Sequence, residues 1–468
     1  MARILAVTCG LPSVVYASVE LARRLAAAGH RLTFASHADA RALVEHHGLD
    51  FLPLEPSRYE QFLDVDVRSS TFSRLLNLHQ RRERAKDAMA VDGFAQAVRD
   101  VHPDLVLING EMHEHIIAAS VVGVPLALLN SFVSIWRQPG LPPPHHLMQP
   151  GVGWKGTRVG ISLLWLALRM RKWLKAWAQC VRRVGCDRLS ILRLLAHEAG
   201  FDLRRGTDDS QWLIPFTYRR FPVLSLHPLE FEFPHRPPDR VHYVGPMVLE
   251  SRVEWPMTPE DREQLDAIFE RRRGSQGERK LIYAGFGSVF STDLAFLHRL
   301  FAAVAERPDW DLVISLSDRI PPADLGRLPE RVYAFSWVPQ MSVLSNADVV
   351  VTHGGISTVD ECILSGVPLL VYCGFETDMG GTTARVVHHG IGIAGDRRRD
   401  GSRVIREHID RLVDEPHFAT NLSRLRQRYA AYVENRVAEQ VVESLLQSRG
   451  VIGSSDPSAA QRASGAGS

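Results

Sequence analysis

Short apolar runs alternate with amphipathic stretches from the first residue of the chain. "ARILAVT" reads as a strand, and "ASVELARRLAAAGH" places apolar residues at helical spacing before a glycine stop. "RLTFAS", "PDLVLIN" and "PLALLN" continue the pattern, with a helical run between the last two. This β-α-β-α order predicts a parallel sheet with helices on both faces.

The same order restarts after a proline-rich stretch at 227–247, through "KLIYAGFGS", "DLVISLS", "RVYAFSWV", "DVVVTHGG" and "PLLVYCG". Two similar halves predict an α/β fold of two facing Rossmann-like, doubly wound domains with a deep cleft between them. We assign the chain to a first domain at 1–235, a linker at 236–262, a second domain at 263–403, helices that cross back at 404–450, and a disordered tail at 451–468.

One segment of the first domain, 154–186, contains eight basic residues and no acidic one. Its apolar residues fall at helical spacing and form one stripe: Leu166, Met170, Trp173, Trp177, Val181 and Val184. Two interpretations stay open. The stripe contacts an anionic bilayer or a lipophilic substrate, or it packs on the domain and leaves a solvated basic face.

Composition narrows the function classes. The chain has 468 residues and a formal net charge of +2, which gives no overall field for nucleic acid. We find no signal peptide and no apolar run of the roughly 18 residues that a membrane span needs. The five cysteines show no CxxC spacing, so we expect reduced thiols, no zinc site and a cytoplasmic location.

The stretch "VTHGGISTVDE" at 351–361 is a strand end, a glycine turn and a helix start. Gly354 and Gly355 let a phosphate approach the backbone, and the first helical amides favour an anion. The side chains of His353, Ser357 and Thr358 can donate hydrogen bonds to it. One turn further on, Glu361 can accept hydrogen bonds from a ribose diol; an ordinary capped turn is the alternative.

Neighbouring segments add to this site. Trp337 offers a flat apolar face and Gln340 an amide that can contact a base edge. Gly287 and Ser288 form a second small-residue loop at another strand end. "GFGSVF" fails as a dinucleotide fingerprint because Phe290 stands where the third glycine belongs. "DVD" at 64–66 imitates a metal-binding acid pair, but we expect a solvated loop there.

These motifs, W-x-P-Q, H-G-G and D-x5-A-R-V in this order, resemble those of the family 1 glycosyltransferases, inverting enzymes of the GT-B fold. The resemblance is strongest over 281–395 and covers most of the chain. It implies that Trp337 and Gln340 contact the base and that Glu361 holds the ribose. It further implies a diphosphate site made of His353, Gly354, Gly355, Ser357, Thr358 and Ser288, and a sugar site at Asp378 and Met379, without metal or other cofactor.

The chain departs from the family pattern at the catalytic dyad. The usual histidine position falls at Val14, beside Ser13, and the acid that orients it is replaced by Asn109. A hydroxyl nucleophile needs a base. The nearest candidates are in "NGEMHEH": Glu111, His113, Glu114 and His115. A polar helix start is the alternative interpretation of these residues.

A further departure concerns the sugar. The family's acid–Gln pair is Asp378–Met379 here, and a later Asn is Thr382. Because a thioether cannot donate to a hydroxyl, we predict a donor other than plain glucose, such as a deoxysugar.

The resemblance implies transfer of a sugar from a UDP- or dTDP-sugar to a lipophilic acceptor, such as a polyketide, a terpenoid or a glycolipid, as in antibiotic biosynthesis. We expect 137–150 and the basic helix to shape the acceptor pocket, with peripheral membrane contact through 154–186 as a further possibility. The alternative is a catalytically silent homologue that assists a partner enzyme, since the dyad is absent.

Overall fold

The computed structural model describes residues 1–66, 70–251, 257–287, 293–317, 320–374 and 377–448. These residues form two parallel sheets, each covered by helices on both faces. The predicted α/β architecture of two Rossmann-like domains is therefore confirmed.

The first domain has a seven-stranded parallel sheet in the order β3-β2-β1-β4-β5-β8-β9, and a short antiparallel pair, β6 with β7. The strands are β1 Arg3–Val7, β2 Arg31–Ser36, β3 Asp50–Pro53, β4 Leu105–Asn109, β5 Leu126–Asn130, β6 Thr207–Asp208, β7 Thr217–Tyr218, β8 Val223–Ser225 and β9 Val241–Tyr243. The helices are α1 Pro12–Ala27, α2 Arg41–His46, α3 Tyr59–Asp66, α4 Thr71–Leu76, α5 Leu78–Asp87, α6 Asp92–Val101, α7 His113–Val121, α8 Arg158–Arg182, α9 Arg188–Glu198 and α10 Leu203–Gly206.

The second domain has a six-stranded parallel sheet in the order β12-β11-β10-β13-β14-β15. Its strands are β10 Lys280–Gly285, β11 Trp310–Ser315, β12 Val332–Phe335, β13 Val349–Thr352, β14 Leu369–Val371 and β15 Gly392–Ala394. The helices are α11 Pro259–Gly274, α12 Leu294–Ala305, α13 Gln340–Leu344, α14 Ile356–Ser365, α15 Met379–His388, α16 Ser402–Asp414, α17 Pro416–Glu434 and α18 Val437–Gln447. Single 3-10 turns lie at Ala38–Ala40, Trp154–Gly156, Leu229–Phe231 and Pro322–Leu325.

Each central strand supplies side chains to two separate cores, one on either face of its sheet. In β1, Leu5 and Val7 join one core while Ile4 and Ala6 join the other. This is why these strands are apolar at nearly every position, as parallel strands covered on both faces require.

The structure corrects the predicted domain boundary. β9 pairs with β8 inside the segment that we assigned to the linker, and Met247 and Leu249 still pack in a first-domain core. The first domain therefore continues past 235, and α11 begins the second domain at Pro259. The strand was overlooked because prolines surround its short apolar run, "VHY".

The terminal helices divide their contacts between the two domains. α16 and α17 pack in second-domain cores, through residues such as Ile405 and Leu425. α18 joins one first-domain core through Ala438 and Val442, and Tyr432 near the end of α17 packs against the other. The segment 404–450 therefore contacts the first domain through its final part, from the end of α17 onward. The predicted tail at 451–468 lies outside the described residues.

Two further expectations meet different outcomes. All five cysteines are unbridged thiols. The prediction that the "DVD" segment at 64–66 is a solvated loop is wrong. The segment ends α3, and the carboxylate of Asp66 is buried in an ion pair with Arg81 (Nε to Oδ1, 2.5 Å).

A buried ion pair joins the two domains. Arg385 of α15 donates from Nε to Oε2 of Glu232 at 2.7 Å, and both side chains are almost completely buried. The other carboxylate oxygen of Glu232 accepts from the backbone amide of Ser134 at 2.5 Å and lies 3.1 Å from Nε2 of His227. Burial alone would raise the pKa of Glu232, but Arg385 and then His227 lower it to about 2. The pair therefore stays ionised across neutral pH.

We predict that Glu232→Gln lowers the free energy of unfolding by about 3–5 kcal/mol, because it leaves Arg385 as an uncompensated buried charge. The double variant Glu232→Leu/Arg385→Met should recover much of this loss. Urea unfolding measures both. The matched control is Glu45→Gln, which breaks the exposed pair with Arg41 and should cost about 0–1 kcal/mol.

The same pair predicts an acid-sensitive contribution to stability. The pKa of Glu232 is lowered from 4.5 in the unfolded chain to about 2 in the folded protein. The contribution of the ion pair to the free energy of unfolding is therefore complete above the unfolded-state pKa and is lost as the pH falls through the folded-state pKa. An equal effect of Glu232→Gln at neutral pH and near pH 2 would contradict this account.

Candidate active site

In both sheets the strand order reverses between two neighbouring strands. The reversal lies between β1 and β4 in the first domain and between β10 and β13 in the second. Loops that leave the carboxyl ends of such a pair diverge and open a crevice, where ligands bind in doubly wound folds. The residues singled out from the sequence are concentrated at these two strand-end crevices.

In the second domain, glycines surround the imidazole of His353 at the end of β13. A Cβ atom at Gly287 would lie 2.8 Å from Cε1 of His353, and one at Gly355 would lie 2.9 Å from Nε2. Gly354 has a φ of 87°, and a Cβ atom there would lie 2.8 Å from Cγ1 of Val371. Side chains at these three glycine positions would collide with His353 or Val371.

α14 begins at Ile356, within the stretch where the sequence predicts a helix start. Its N-cap is Gly355, and within the described residues no side chain caps it. Its first amides therefore lie at the end of the helix dipole beside His353, with half-buried Ser357 and Thr358 in its first turn. Burial lowers the pKa of His353 to about 4, so at neutral pH the ring carries one N–H donor. This arrangement can hold an anion.

A polar cluster lies next to the helix tip. The amide nitrogen of Gln340, at the start of α13, donates to the carboxylate of Glu361 in α14. The hydroxyl of Tyr283 donates to Oε1 of the same Gln340 at 3.1 Å. Trp337 is half-buried three residues before Gln340. The structure thus brings the predicted base-contacting and ribose-contacting side chains together.

Ser288, which the sequence analysis assigned to the diphosphate site, lies outside the described residues. The adjoining Gly287 is described and has a φ of 68°.

Asp378 stands at the N-cap of α15 and is buried. Burial raises its pKa to about 7, and the carboxylate of Glu111, from the first domain, contributes to the increase. Met379 packs partly against the second-domain core. Thr382 is buried, and its hydroxyl donates to the backbone oxygen of Asp378 at 3.3 Å. Of these three, Asp378 shares the cleft with the first domain.

The loop 137–150 reaches across the cleft to α15. The amide of Gly381 donates to the backbone oxygen of Pro144 at 2.6 Å. A Cβ atom at Gly381 would lie 2.4 Å from that oxygen, and one at Gly380 would lie 2.8 Å from the backbone oxygen of His145. The two glycines therefore permit the domains to meet directly beside Asp378.

On the first-domain side, Asn109 ends β4 and shapes the turn that follows it. Its Oδ1 accepts from the backbone amide of Glu111 at 2.9 Å. Burial raises the pKa of the Glu111 carboxyl, and its charge acts on both Asp378 and the thiol of Cys9. Glu111 also lines a cavity of about 20 Å³ with Asn109 and Trp136, which has room for a single water. Glu111 is therefore a first-domain acid whose charge acts on a carboxyl of the second domain.

The structure does not bring the other two predicted catalytic residues into the cleft. His113 is buried between Phe216 and Tyr218, with Nδ1 3.3 Å from the tyrosine hydroxyl, and burial lowers its pKa to about 4. His115 is buried with its ring edge against Phe94. α7 begins at His113 and turns both side chains into the core, away from the cleft where the sequence analysis expected them. Glu114 pairs instead with Arg188 at 2.9 Å.

The loop after β1 supplies no base of its own. Val14 is buried in the core and Ser13 is exposed in the first turn of α1. His37, which follows β2, lies over this loop instead, since a Cβ atom at Gly10 would be 2.6 Å from its Nδ1. The feature of the sequence that could have indicated His37 is its position directly after β2, the strand that pairs with β1.

Among the described residues, no group of three or more His, Cys, Asp or Glu side chains is placed to hold a metal ion. No helix in the same described ranges combines the length and apolarity that crossing a bilayer requires.

Comparison with known proteins shows that the chain is similar in sequence to glycosyltransferases. Residues 298–445 match the family model "Erythromycin biosynthesis protein CIII-like, C-terminal domain". Over 175 residues the chain is 29% identical to the oleandomycin glycosyltransferase of Streptomyces antibioticus, covering 37% of this chain and 40% of that protein. Over 383 residues it is 23% identical to the sterol 3-beta-glucosyltransferase of Aspergillus clavatus, covering 79% of this chain and 24% of that protein. The matches span less than half the length of either relative.

Solved structures show the same fold over nearly the whole chain. The kitacinnamycin glycosyltransferase has a TM-score of 0.66 at 22% identity, covering 95% of this chain and 98% of that one. The glycosyltransferase VinC in complex with dTDP has a TM-score of 0.59 at 20% identity, covering 95% and 98%. The chain therefore has the two-domain GT-B fold of these solved structures.

We predict that Asp378→Asn makes the protein more stable at alkaline pH. The pKa of Asp378 is raised from 3.8 in the unfolded chain to about 7 in the folded protein. Its contribution to stability is therefore complete below the unfolded-state pKa and is lost as the pH rises through the folded-state pKa. Near pH 8 the variant should exceed the native protein by an amount on the order of 2–4 kcal/mol, and near pH 4 the difference should nearly vanish.

Urea unfolding at both pH values measures this effect, with the exposed Asp266→Asn as the matched control. A difference of the same size at both pH values would contradict the burial of an ionisable carboxyl at position 378.

Proposed function

We propose that the protein transfers a sugar from a UDP- or dTDP-sugar to a hydroxyl of a lipophilic acceptor, with inversion and without metal. The observation that carries this proposal is that the first domain contacts α15 beside Asp378, through the hydrogen bond from Gly381 to Pro144, while the charge of Glu111 acts on the Asp378 carboxyl. Glu111 would then be the first-domain base, and Asp378 is the residue that family resemblance assigns to the sugar.

The donor would bind along the carboxyl ends of the second sheet. Its base would stack on Trp337, and its ribose would take over the hydrogen bond that Glu361 now accepts from Gln340. The diphosphate would meet the amides at the start of α14, next to His353 and the glycines. The relative VinC, whose structure contains dTDP, supports this class of donor.

The reaction needs a base and a stabilised leaving group. The carboxylate of Glu111 takes the proton of the acceptor hydroxyl, and the oxygen forms a bond to the anomeric carbon. The bond from that carbon to the diphosphate breaks, and the helix dipole of α14 stabilises the charge that develops there. Burial raises the pKa of Glu111 toward the working pH, which favours base catalysis.

The acceptor class is inferred from the relatives. They include glycosyltransferases of antibiotics and of sterols. We therefore favour a natural-product acceptor with an extended apolar surface.

We predict that Glu111→Gln lowers kcat by about 10²–10⁴, because the amide cannot take a proton. The measurement is release of nucleoside diphosphate from a panel of UDP- and dTDP-sugars, with water and with polyketide and sterol acceptors. Donor affinity, measured by calorimetry, should be unchanged. Glu114→Gln is the matched control, since that acid pairs with Arg188.

A loss of turnover in His37→Asn, with Glu111→Gln fully active, would move the base to His37. Donor binding without turnover of any acceptor or of water would instead support the silent homologue that assists another enzyme.

We predict that the side chain at 379 affects sugar choice. Met379→Gln should raise kcat/KM for glucose donors relative to 6-deoxysugar donors, because the amide can pair with a sugar hydroxyl. The change in this ratio should correspond to about 1–3 kcal/mol of transition-state free energy. Met379→Leu is the control and should keep the native preference. The ratio is measured with both donors on one acceptor, and an unchanged ratio in Met379→Gln would remove position 379 from the sugar site.

A further inference from the structure

The long helix α8 turns its apolar stripe to solvent. Trp173 is 66% exposed, Trp177 60% and Met170 57%. The remaining members of the same exposed stripe are Val159, Leu163, Leu166, Leu174 and Val181. The interpretation in which this stripe packs on the domain is therefore wrong. Val184 lies beyond the helix end at Arg182.

The opposite face of α8 holds the helix to the first domain. Ile161 and Trp165 are buried, and Nε1 of Trp165 donates to the backbone oxygen of Leu141 at 2.8 Å. Lys172 donates from Nζ to three backbone oxygens of the segment 209–213, at 3.1, 3.0 and 2.6 Å. The exposed stripe thus does not contribute to the attachment of the helix.

Cations flank the stripe on both sides. At about 100° per residue, Arg158 and Arg169 fall between the attached face and the stripe on one side, and Arg171, Lys175 and Arg182 do so on the other. Over 154–186 no acidic residue interrupts them. The stripe runs from Val159 to Val181, on the order of 33 Å along the helix axis.

A second exposed apolar group adjoins the end of α8. In α4, Phe72 is 72% exposed and Leu76 71%. α4 contacts α8 through Arg74, whose Nη1 donates to the backbone oxygen of Arg182 at 3.2 Å. The apolar surface is therefore not confined to one helix.

We propose that this surface, the α8 stripe with its basic flanks and the adjoining α4 side chains, binds an anionic phospholipid bilayer. The helix lies parallel to the membrane, its tryptophans enter the boundary between headgroups and acyl chains, and the flanking arginines and lysines contact lipid phosphates. Tryptophan with basic residues on the flanks of a long apolar stripe is the pattern of interfacial helices.

Charge argues against the other occupants. A second copy would bring the same basic flanks against each other without an acid from 154–186 to offset them. The segment 449–468 offers only two large apolar residues, Val451 and Ile452, and has two arginines against one acid. An anionic surface is the partner that complements both the stripe and its flanks.

This inference goes beyond sugar transfer and does not depend on it. A lipophilic acceptor dissolved in the bilayer would reach the first domain from this side.

Vesicle sedimentation with the full chain tests the proposal. We expect binding to phosphatidylcholine vesicles that contain phosphatidylglycerol, weaker binding to phosphatidylcholine alone, and loss of binding as salt rises from about 0.1 M to about 1 M. Trp173→Ala/Trp177→Ala should lower the partition coefficient roughly tenfold or more. Tryptophan fluorescence should shift to shorter wavelength with vesicles in the native protein and much less in this variant.

Two matched comparisons keep the test specific. Arg171→Glu/Lys175→Glu should abolish the preference for anionic vesicles, whereas Arg262→Glu/Arg403→Glu, at exposed positions of the second domain, should not. The anchoring residues Ile161 and Trp165 are unchanged in every variant, and circular dichroism checks that α8 stays folded.

No binding to anionic vesicles would overturn the proposal, and so would binding that the tryptophan variant leaves intact. Self-association or capture of an acidic protein through the stripe, without vesicle binding, would overturn it as well. None of these results bears on release of nucleoside diphosphate, so the proposed sugar transfer is judged separately.

Discussion

A buried ion pair, Arg385 with Glu232, is the charged contact that holds the two domains together. Arg385 lies in α15, the helix whose N-cap is Asp378, and Glu232 is hydrogen bonded to the amide of Ser134 in the first domain. A buried charge without its partner is costly, so α15 keeps its place relative to the first sheet. The helix that carries Asp378 is thereby fixed against the domain that carries Glu111.

The chemistry of the cleft arises from strand ends and helix starts. Parallel strands covered on both faces leave only their ends free for polar groups, so the functional side chains collect where the strand order reverses. In the second domain this edge supplies glycines, His353 and the uncapped amides of α14, which favour an anion. In the first domain it supplies Asn109, whose side chain orders the turn that carries Glu111. Burial then raises the pKa values of both Glu111 and Asp378, as it does for many carboxyls at functional sites.

α8 departs from the usual balance of a surface helix, because its polar contacts face the protein and its apolar stripe faces solvent. Lys172 and Trp165 attach it through hydrogen bonds to backbone oxygens. An exposed apolar surface of this size marks a site of interaction rather than a solvated face. The α8 stripe and the strand end that precedes Glu111 belong to the same domain, so the proposed membrane contact and acceptor entry are physically compatible.

The sequence by itself determined the parallel sheets, their alternation with helices, and the donor-site motifs from Trp337 to Glu361. It could do so because burial on both faces demands continuous apolar runs, and because glycine and helix-start signals are local. It did not distinguish Glu111 from His113 and His115, which stand within five positions of one another and differ only in which side of the α7 start they face. Nor could it show that β9 completes the first sheet or that His37 lies over Gly10, since strand partners and ring positions depend on contacts between distant segments. The stripe on α8 was visible as a pattern, but periodicity is the same for a helix that faces a core and one that faces outward. Only tertiary packing, through Ile161 and Trp165, decided its direction.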